Sequence, residues 1–338
     1  MDSVMAWRIL GGTPPTLRDW EWTLARLHSV FDTEALMATA FEPQDVESYY
    51  KLTTFRDYAV LAAITRCPAM HTELSRARRL PMRVSSFQQL VYVLSHLDGG
   101  APAAVLEVGC GKGANTITLA ALLPQASFEG LDMAACHVAA AQRLAVDAGV
   151  TNARFMVGNA AMPPPAVASR HFNLVFGIES LCHLDTDAAM EGFLTFVAGS
   201  LVHGGRLVIV DGFRSNRYDE VSPAVRTAMR LAECGFRIRR MAPKSLWVAM
   251  ARRHGLSLVC DEDLTTQAVP FWTTGWRVAT LLLMAPRLIR WYINSSSARA
   301  ETGGSFLSVC CAAAAFTLGS AEYGVLVFQR TCDVQVKL

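Results

Sequence analysis

A chain of 338 residues can bury one elaborated domain or two, and 52% hydrophobic against 18% charged residues is apolar for a water-soluble protein. Lys and Arg number 31 against 29 Asp and Glu, a formal net charge of +2, so no basic field argues for a nucleic-acid partner. The nine cysteines, at 67, 110, 136, 182, 234, 260, 310, 311 and 332, form no Cys-x-x-Cys pair and no zinc spacing, which fits a reducing, cytoplasmic setting.

Residues 1–12 lack the charged-then-apolar design of a secretion signal. The first hundred residues read mainly as helices, with apolar residues at helical spacing over Trp20–Phe31 and Phe87–Leu97. The Gly11-Gly12-Thr13-Pro14-Pro15 cluster and Pro43 punctuate them. From residue 101 strands and helices alternate. The strands are expected at Val105–Val108, Ser127–Leu131, Ala153–Val157, Phe172–Ile178, Arg206–Asp211 and Leu256–Cys260, with a last one at Tyr323–Gln329. Helices are expected at Asn115–Leu123, Ala134–Ala148, Ala188–Ser200 and Lys244–His254. This order predicts an α/β fold: a Rossmann-like, mostly parallel seven-stranded sheet with helices on both faces.

Two segments exceed what such a core needs, and long insertions in compact domains usually carry function. One is Arg214–Pro243. The other, Thr265–Glu322, holds helical runs at Phe271–Met284, Leu288–Ile293 and Ser305–Leu318. The uncharged stretch Ser305–Ala321 is a marginal membrane span and reads as a buried helix or pocket wall. The expected organisation is a helical cap over 1–100, a Rossmann-like core over 101–264 interrupted at 214–243, an apolar helical lid over 265–322, and a last strand and tail over 323–338. The insertions either roof a site or form an additional helical layer.

The most informative stretch is Val-Leu-Glu-Val-Gly-Cys-Gly-Lys-Gly at 105–113. A strand ends at an acidic residue, Glu107, and three glycines follow at 109, 111 and 113 before a helix-compatible run. Glycines let the backbone turn sharply and approach a ligand. A dinucleotide loop reads Gly-x-Gly-x-x-Gly and cradles a pyrophosphate, which a preceding carboxylate would repel. Asp132 ends the next strand, where a carboxylate binds ribose hydroxyls. Glu107, the glycine loop and Asp132 together resemble the first motif and the following acidic position of class I S-adenosylmethionine-dependent methyltransferases.

The resemblance implies S-adenosylmethionine as cofactor. Glu107 would order the loop and the cofactor's amino-acid end, with Gly109, Gly111 and Gly113 as the cradle. Asp132 would hold the ribose and Met133 would pack on adenine. Where relatives place an acid against the adenine amino group, this chain has Asn159, whose amide oxygen can accept the same hydrogen bond, with the Ala160 backbone beside it. The fourth strand leads into Glu179-Ser180-Leu181-Cys182-His183, similar to the sterol C-methyltransferase and tocopherol methyltransferase group. That likeness makes Glu179 a contact for the cofactor and, with His183, a candidate base. A plainer role, capping the following helix, stays open, and no third ligand nearby supports a metal site. Upstream, Tyr49, Tyr50, Tyr58 and His71 resemble the same group's segment before the core and add Tyr50 and His71 to the catalytic candidates.

The expected acceptor is a small hydrophobic molecule, preferably an isoprenoid or polycyclic compound methylated on carbon. Tyr49, Tyr50, Tyr58, Trp272 and Trp276 are then candidates to face a carbocation. N- or O-methylation of an alkaloid or phenolic is the alternative within the class. A nicotinamide-dependent oxidoreductase and a non-catalytic nucleoside-binding relic are the alternatives outside it. Peripheral membrane contact by 265–322 and a homodimer are both compatible with the sequence.

Overall fold

The computed structural model describes residues 13–42, 45–50, 71–74, 87–96, 102–295 and 299–331. Its centre is strand β1 (Ala104–Val108), apolar apart from Glu107 and buried from Val105 onward. β1 pairs in parallel with β2 (Ser127–Asp132) on one side and β4 (Phe172–Ile178) on the other. β3 (Ala153–Val157) extends the sheet beyond β2, and β5 (Leu201–Arg214) extends it beyond β4, both in parallel. β7 (Ala321–Arg330) lies antiparallel between β5 and the edge strand β6 (Leu256–Asp263). The order of the seven strands is β3-β2-β1-β4-β5-β7-β6. The chain turns from building leftward to building rightward between β1 and β4, the place where open α/β sheets bind ligands beyond the carboxyl ends of their strands.

Alternate strand residues face opposite layers, as a doubly covered sheet requires. Leu106, Val175, Leu207, Ile209 and Phe328 share one core with α7 (Asp187–Ser200) and α9 (Lys244–Arg253). Val105, Phe176, Val208, Val210 and Val325 share the other with α3 (Gln88–Ser95) and α4 (Ala114–Leu122). Helices α5 (Ala135–Asp147) and α6 (Pro165–Ala168) complete the winding.

The segments outside this core form a third layer. It comprises α1 (Leu17–Val30), α2 (Thr33–Ala38), α8 (Pro223–Gly235), α10 (Thr265–Leu283), α11 (Pro286–Ser295) and α12 (Arg299–Thr317). Thr16 and Asp19 close a reciprocal cap at the start of α1, and Trp20 of that helix donates to the Ala224 carbonyl at 2.6 Å. α12 is buried all round through Cys310, Cys311 and Ala312–Ala315. Small residues let it approach its neighbours closely. A Cβ on Gly235 of α8 would stand 2.7 Å from the Gly304 carbonyl oxygen of α12. The run Ser305–Ala321 is therefore a buried wall, as its composition suggests, and no helix among the described residues is long and apolar enough to cross a membrane.

Candidate active site

A cavity of about 960 Å³ opens at the carboxyl ends of β1, β2, β4 and β5 and runs beneath the helical layer. The glycine loop forms one end. Gly109, Gly111 and Gly113 all have positive φ, at 71°, 52° and 79°. Their surroundings differ. A Cβ on Gly109 would strike Ser180 at 2.2 Å, and one on Gly113 would strike Phe155 and Ala141 below 3 Å. Gly111 alone of the three has no described residue within 4 Å of such a Cβ, and it lines the cavity. Gly109 also lines it, whereas Gly113 serves the packing beneath the loop.

Glu107 is almost fully buried and anchors the start of α4. Oε1 accepts from the Asn115 amide at 2.8 Å, and Oε2 accepts from the Thr116 N–H at 3.0 Å and from its hydroxyl. Burial raises its pKa to about 7 against these three bonds. Asp132 secures the other side of the loop. Its Oδ2 accepts from the Gly111 N–H and its Oδ1 from the Ala134 N–H, both at 2.8 Å, with His137 Nδ1 3.4 Å from Oδ1. Met133 lies beside it on the cavity wall. Asn159 and Ala160 do not line the cavity: Asn159 is exposed and its amide oxygen accepts from Ala161 N–H at 2.9 Å.

The turn after β4 forms the waist. Glu179 has φ 50°, one of two described non-glycine residues in the left-handed region, and so places its carboxylate under backbone strain. Asp211, at the end of β5, holds that turn. Its Oδ2 accepts from the Ser180 and Cys182 N–H groups at 3.1 and 2.9 Å. Ser180 Oγ adds a bond to the Val108 carbonyl at 2.7 Å. Burial, with a contribution from the Glu179 charge, raises Asp211 to about 7. On Glu179 itself Oε1 accepts from Tyr323 Oη at 2.6 Å, Thr72 N–H at 2.7 Å and Gln89 Nε2 at 3.5 Å. Its Oε2 takes no bond from a described residue. Burial, then the adjacent Glu179 charge, pushes the Tyr323 phenol well up and keeps it a donor.

Two histidines flank this carboxylate. Tyr50 Oη lies 2.8 Å from His183 Nε2, and the rings meet edge to face. His71 Nε2 lies 2.9 Å from the Asn115 amide nitrogen, which makes that ring nitrogen the acceptor. In each ring Nδ1 is buried and has no hydrogen-bond partner among the described residues. Burial lowers both pKa values, that of His183 to about 4, so both rings are neutral near pH 7. Tyr49 is buried edge-on to Tyr50 at 5.2 Å between ring centres.

Beyond the waist the insertions supply an apolar chamber. Trp272 stacks on Phe316 at 6.1 Å, and Phe236 and Phe271 meet its ring edge-on at 6.0 and 5.1 Å. Phe316 in turn contacts Tyr323. Trp276 turns the other way, its Nε1 donating to Thr23 at 3.3 Å beneath α1. Tyr58 lies outside the described residues. The structure thus gathers Glu107, Gly109, Gly111, Asp132, Met133, Glu179, His183, Tyr50 and His71 around one hollow. It adds Asp211, Tyr323, Asn115 and Thr72, which carry no local sequence signal. Among described residues His96, Cys260 and Glu262 lie close enough together to hold a metal ion, at the sheet edge outside this cavity.

Comparison with known proteins accords with this geometry. Residues 105–205 match the family model described as a methyltransferase domain. No curated protein matches the chain in sequence. A geranyl diphosphate methyltransferase solved with geranyl diphosphate and sinefungin is similar at TM-score 0.62 and 18% identity, over 85% of this chain and 98% of that one. A geranyl diphosphate C-methyltransferase from Streptomyces coelicolor A3(2) gives 0.59 and 16%, over 80% and 91%. The cyclopropane synthase MmaA2 from Mycobacterium tuberculosis gives 0.65 and 15%, over 86% and 99%. At such identities the likeness is one of fold.

Proposed function

We propose, from a core that is a methyltransferase domain over residues 105–205, that the protein transfers a methyl group from S-adenosylmethionine to carbon of a small isoprenoid or polycyclic acceptor. The observation that carries this reading is the single cavity joining the Gly111–Asp132 cradle to the Trp272–Phe316 chamber across Glu179.

The residues fit the cofactor. Gly111 faces open space where a side chain would intrude, and Asp132 and Met133 line the same end of the cavity, where they would meet ribose and adenine. Glu107 fixes the loop by holding the first turn of α4, and it lines the cavity. Bound there, S-adenosylmethionine supplies a methyl group already electrophilic on a sulfonium. The protein's task is then placement, which in model systems lowers barriers by roughly 7–11 kcal/mol. Methylating an alkene carbon leaves positive charge on the acceptor. The Trp272, Phe316 and Phe236 rings would face that charge, each desolvated aromatic contributing about 0.5–2 kcal/mol. Glu179, fixed through Oε1, keeps Oε2 available to take the proton that is lost. Neutral His71 and His183 bring no competing charge to the chamber.

Calorimetry with S-adenosylmethionine and NADH side by side, followed by transfer of labelled methyl to isoprenoid and polycyclic lipids, tests the proposal. Heat with the sulfonium and label in a lipid product are expected. Heat with NADH alone would replace this reading by the oxidoreductase one.

A further inference from the structure

Between Asp263 and Glu301 the chain carries no acidic residue and four arginines, at 277, 287, 290 and 299. The same stretch holds six of the large hydrophobic side chains that the structure leaves exposed. Val278, Leu281 and Leu282 stand on one face of the last turns of α10, at i, i+3 and i+4. Leu288, Trp291 and Tyr292 repeat that spacing on α11, where Trp291 is 65% and Leu288 57% exposed. The corner between the helices is Met284–Ala285, and Arg287 and Arg290 are exposed between the apolar positions of α11. Ile289 is the buried residue of α11, so that helix rests on the body along a thin line. Exposed apolar surface of this extent marks an interaction site.

We propose that this corner docks on an anionic phospholipid bilayer, an inference that rests on the methyltransferase reading for its purpose. Charge complementarity selects the partner: arginines interleaved with Trp, Tyr and Leu on a helix that itself carries no carboxylate, with Asp32 of α2 near Arg290 on its inner side, match an interfacial helix on negative headgroups. α10 links the surface to the site. Its outer end carries the exposed Val278–Leu282 face, and its inner part contributes Phe271 and Trp272 to the acceptor chamber. An apolar acceptor dissolved in the bilayer thus enters the cavity alongside α10 without crossing water.

Flotation of the full chain with vesicles tests the surface, with S-adenosylmethionine binding measured on the same samples. Vesicles of phosphatidylcholine with phosphatidylglycerol should carry the protein, and phosphatidylcholine alone should carry far less. Leu288→Ser with Trp291→Ser should abolish flotation. Arg287→Ala with Arg290→Ala should weaken it about 25-fold at low salt, from about fivefold per basic residue near an anionic surface. Both variants should bind the cofactor as the parent does, which shows that they are folded. No flotation at low ionic strength, or flotation unchanged in both variants, would overturn the proposal. So would a dimer in solution that the Leu288→Ser, Trp291→Ser pair dissociates, since a second copy would then cover the patch. Cofactor binding without flotation overturns the docking surface alone; flotation without cofactor binding keeps the surface and removes the methyltransferase reading.

Discussion

Asp132 commits one carboxylate oxygen to the Gly111 N–H of the glycine loop and the other to the Ala134 N–H of its own turn. A ribose would therefore meet a carboxylate already oriented. Asp132→Ala should weaken S-adenosylmethionine binding by about 1.5–3 kcal/mol, the value of hydrogen bonds to a charged group; unchanged affinity in calorimetry would remove the ribose role. Glu179 is held differently. Three donors converge on Oε1 while its backbone sits at φ 50°. A residue kept in that conformation by its surroundings is a candidate for chemistry. Glu179→Gln should lower kcat by about 10²-fold, the lower range for a general base, with cofactor affinity little changed. Equal losses in turnover and affinity would make Glu179 a structural residue.

At the scale of elements, the seven strands and the longer helices between them were legible, the four-residue α6 excepted, because strands and amphipathic helices differ in period and length. The loop after β1 was legible because backbone approach to a ligand demands glycine there. The partners of Glu179 were not. Tyr323 comes from β7, 144 residues away in sequence, and reaches Glu179 because β7 inserts antiparallel between β5 and β6. Asp211 reads locally as the end of an apolar strand, and its grip on the 179–183 turn exists only once β4 and β5 are paired. The division of labour among the three glycines was equally hidden, since Phe155 and Ala141 meet Gly113 only after β3 and α5 close over it. Close approach of helices offers a further test. A Cβ at Gly235 would meet Ser308 Oγ at 2.5 Å and the Gly304 carbonyl oxygen at 2.7 Å, whereas one at Gly199 of α7 would meet nothing within 4 Å. Gly235→Ala should cost about 1–3 kcal/mol by overpacking the α8–α12 contact. Gly199→Ala should instead gain up to about 1 kcal/mol from helix propensity. Denaturant melts of the two variants giving the same sign would contradict this account of the roof.

Across the whole molecule, the cavity concentrates buried ionisable groups of opposite tendency, and they set how stability depends on pH. Glu107 and Asp211 are raised to about 7 by burial, so the folded protein holds their protons more tightly than the unfolded chain does. Their effect is absent at low pH, grows as pH rises from the ordinary carboxylate range, and is complete above about 7. Its sign is destabilising, of the order of 3 kcal/mol for each carboxyl. His183, lowered to about 4, and His71, also lowered, act from the other side. The unfolded chain takes up their protons first, so stability is lost as pH falls from about 6.5 toward 4. The two tendencies oppose each other between roughly pH 4.5 and 6.5, so each masks part of the other in that range. The carboxyls alone govern the interval just above it. Wild-type protein should therefore lose stability between pH 6 and 8 in urea titrations. Glu107→Gln, which keeps an oxygen for Thr116, turns an amide nitrogen toward Asn115 and cannot ionise, should lose less over the same interval. Parallel curves for the two proteins would mean that Glu107 ionises in the folded state as readily as in the unfolded one, and that the α4 anchor is a charged carboxylate throughout.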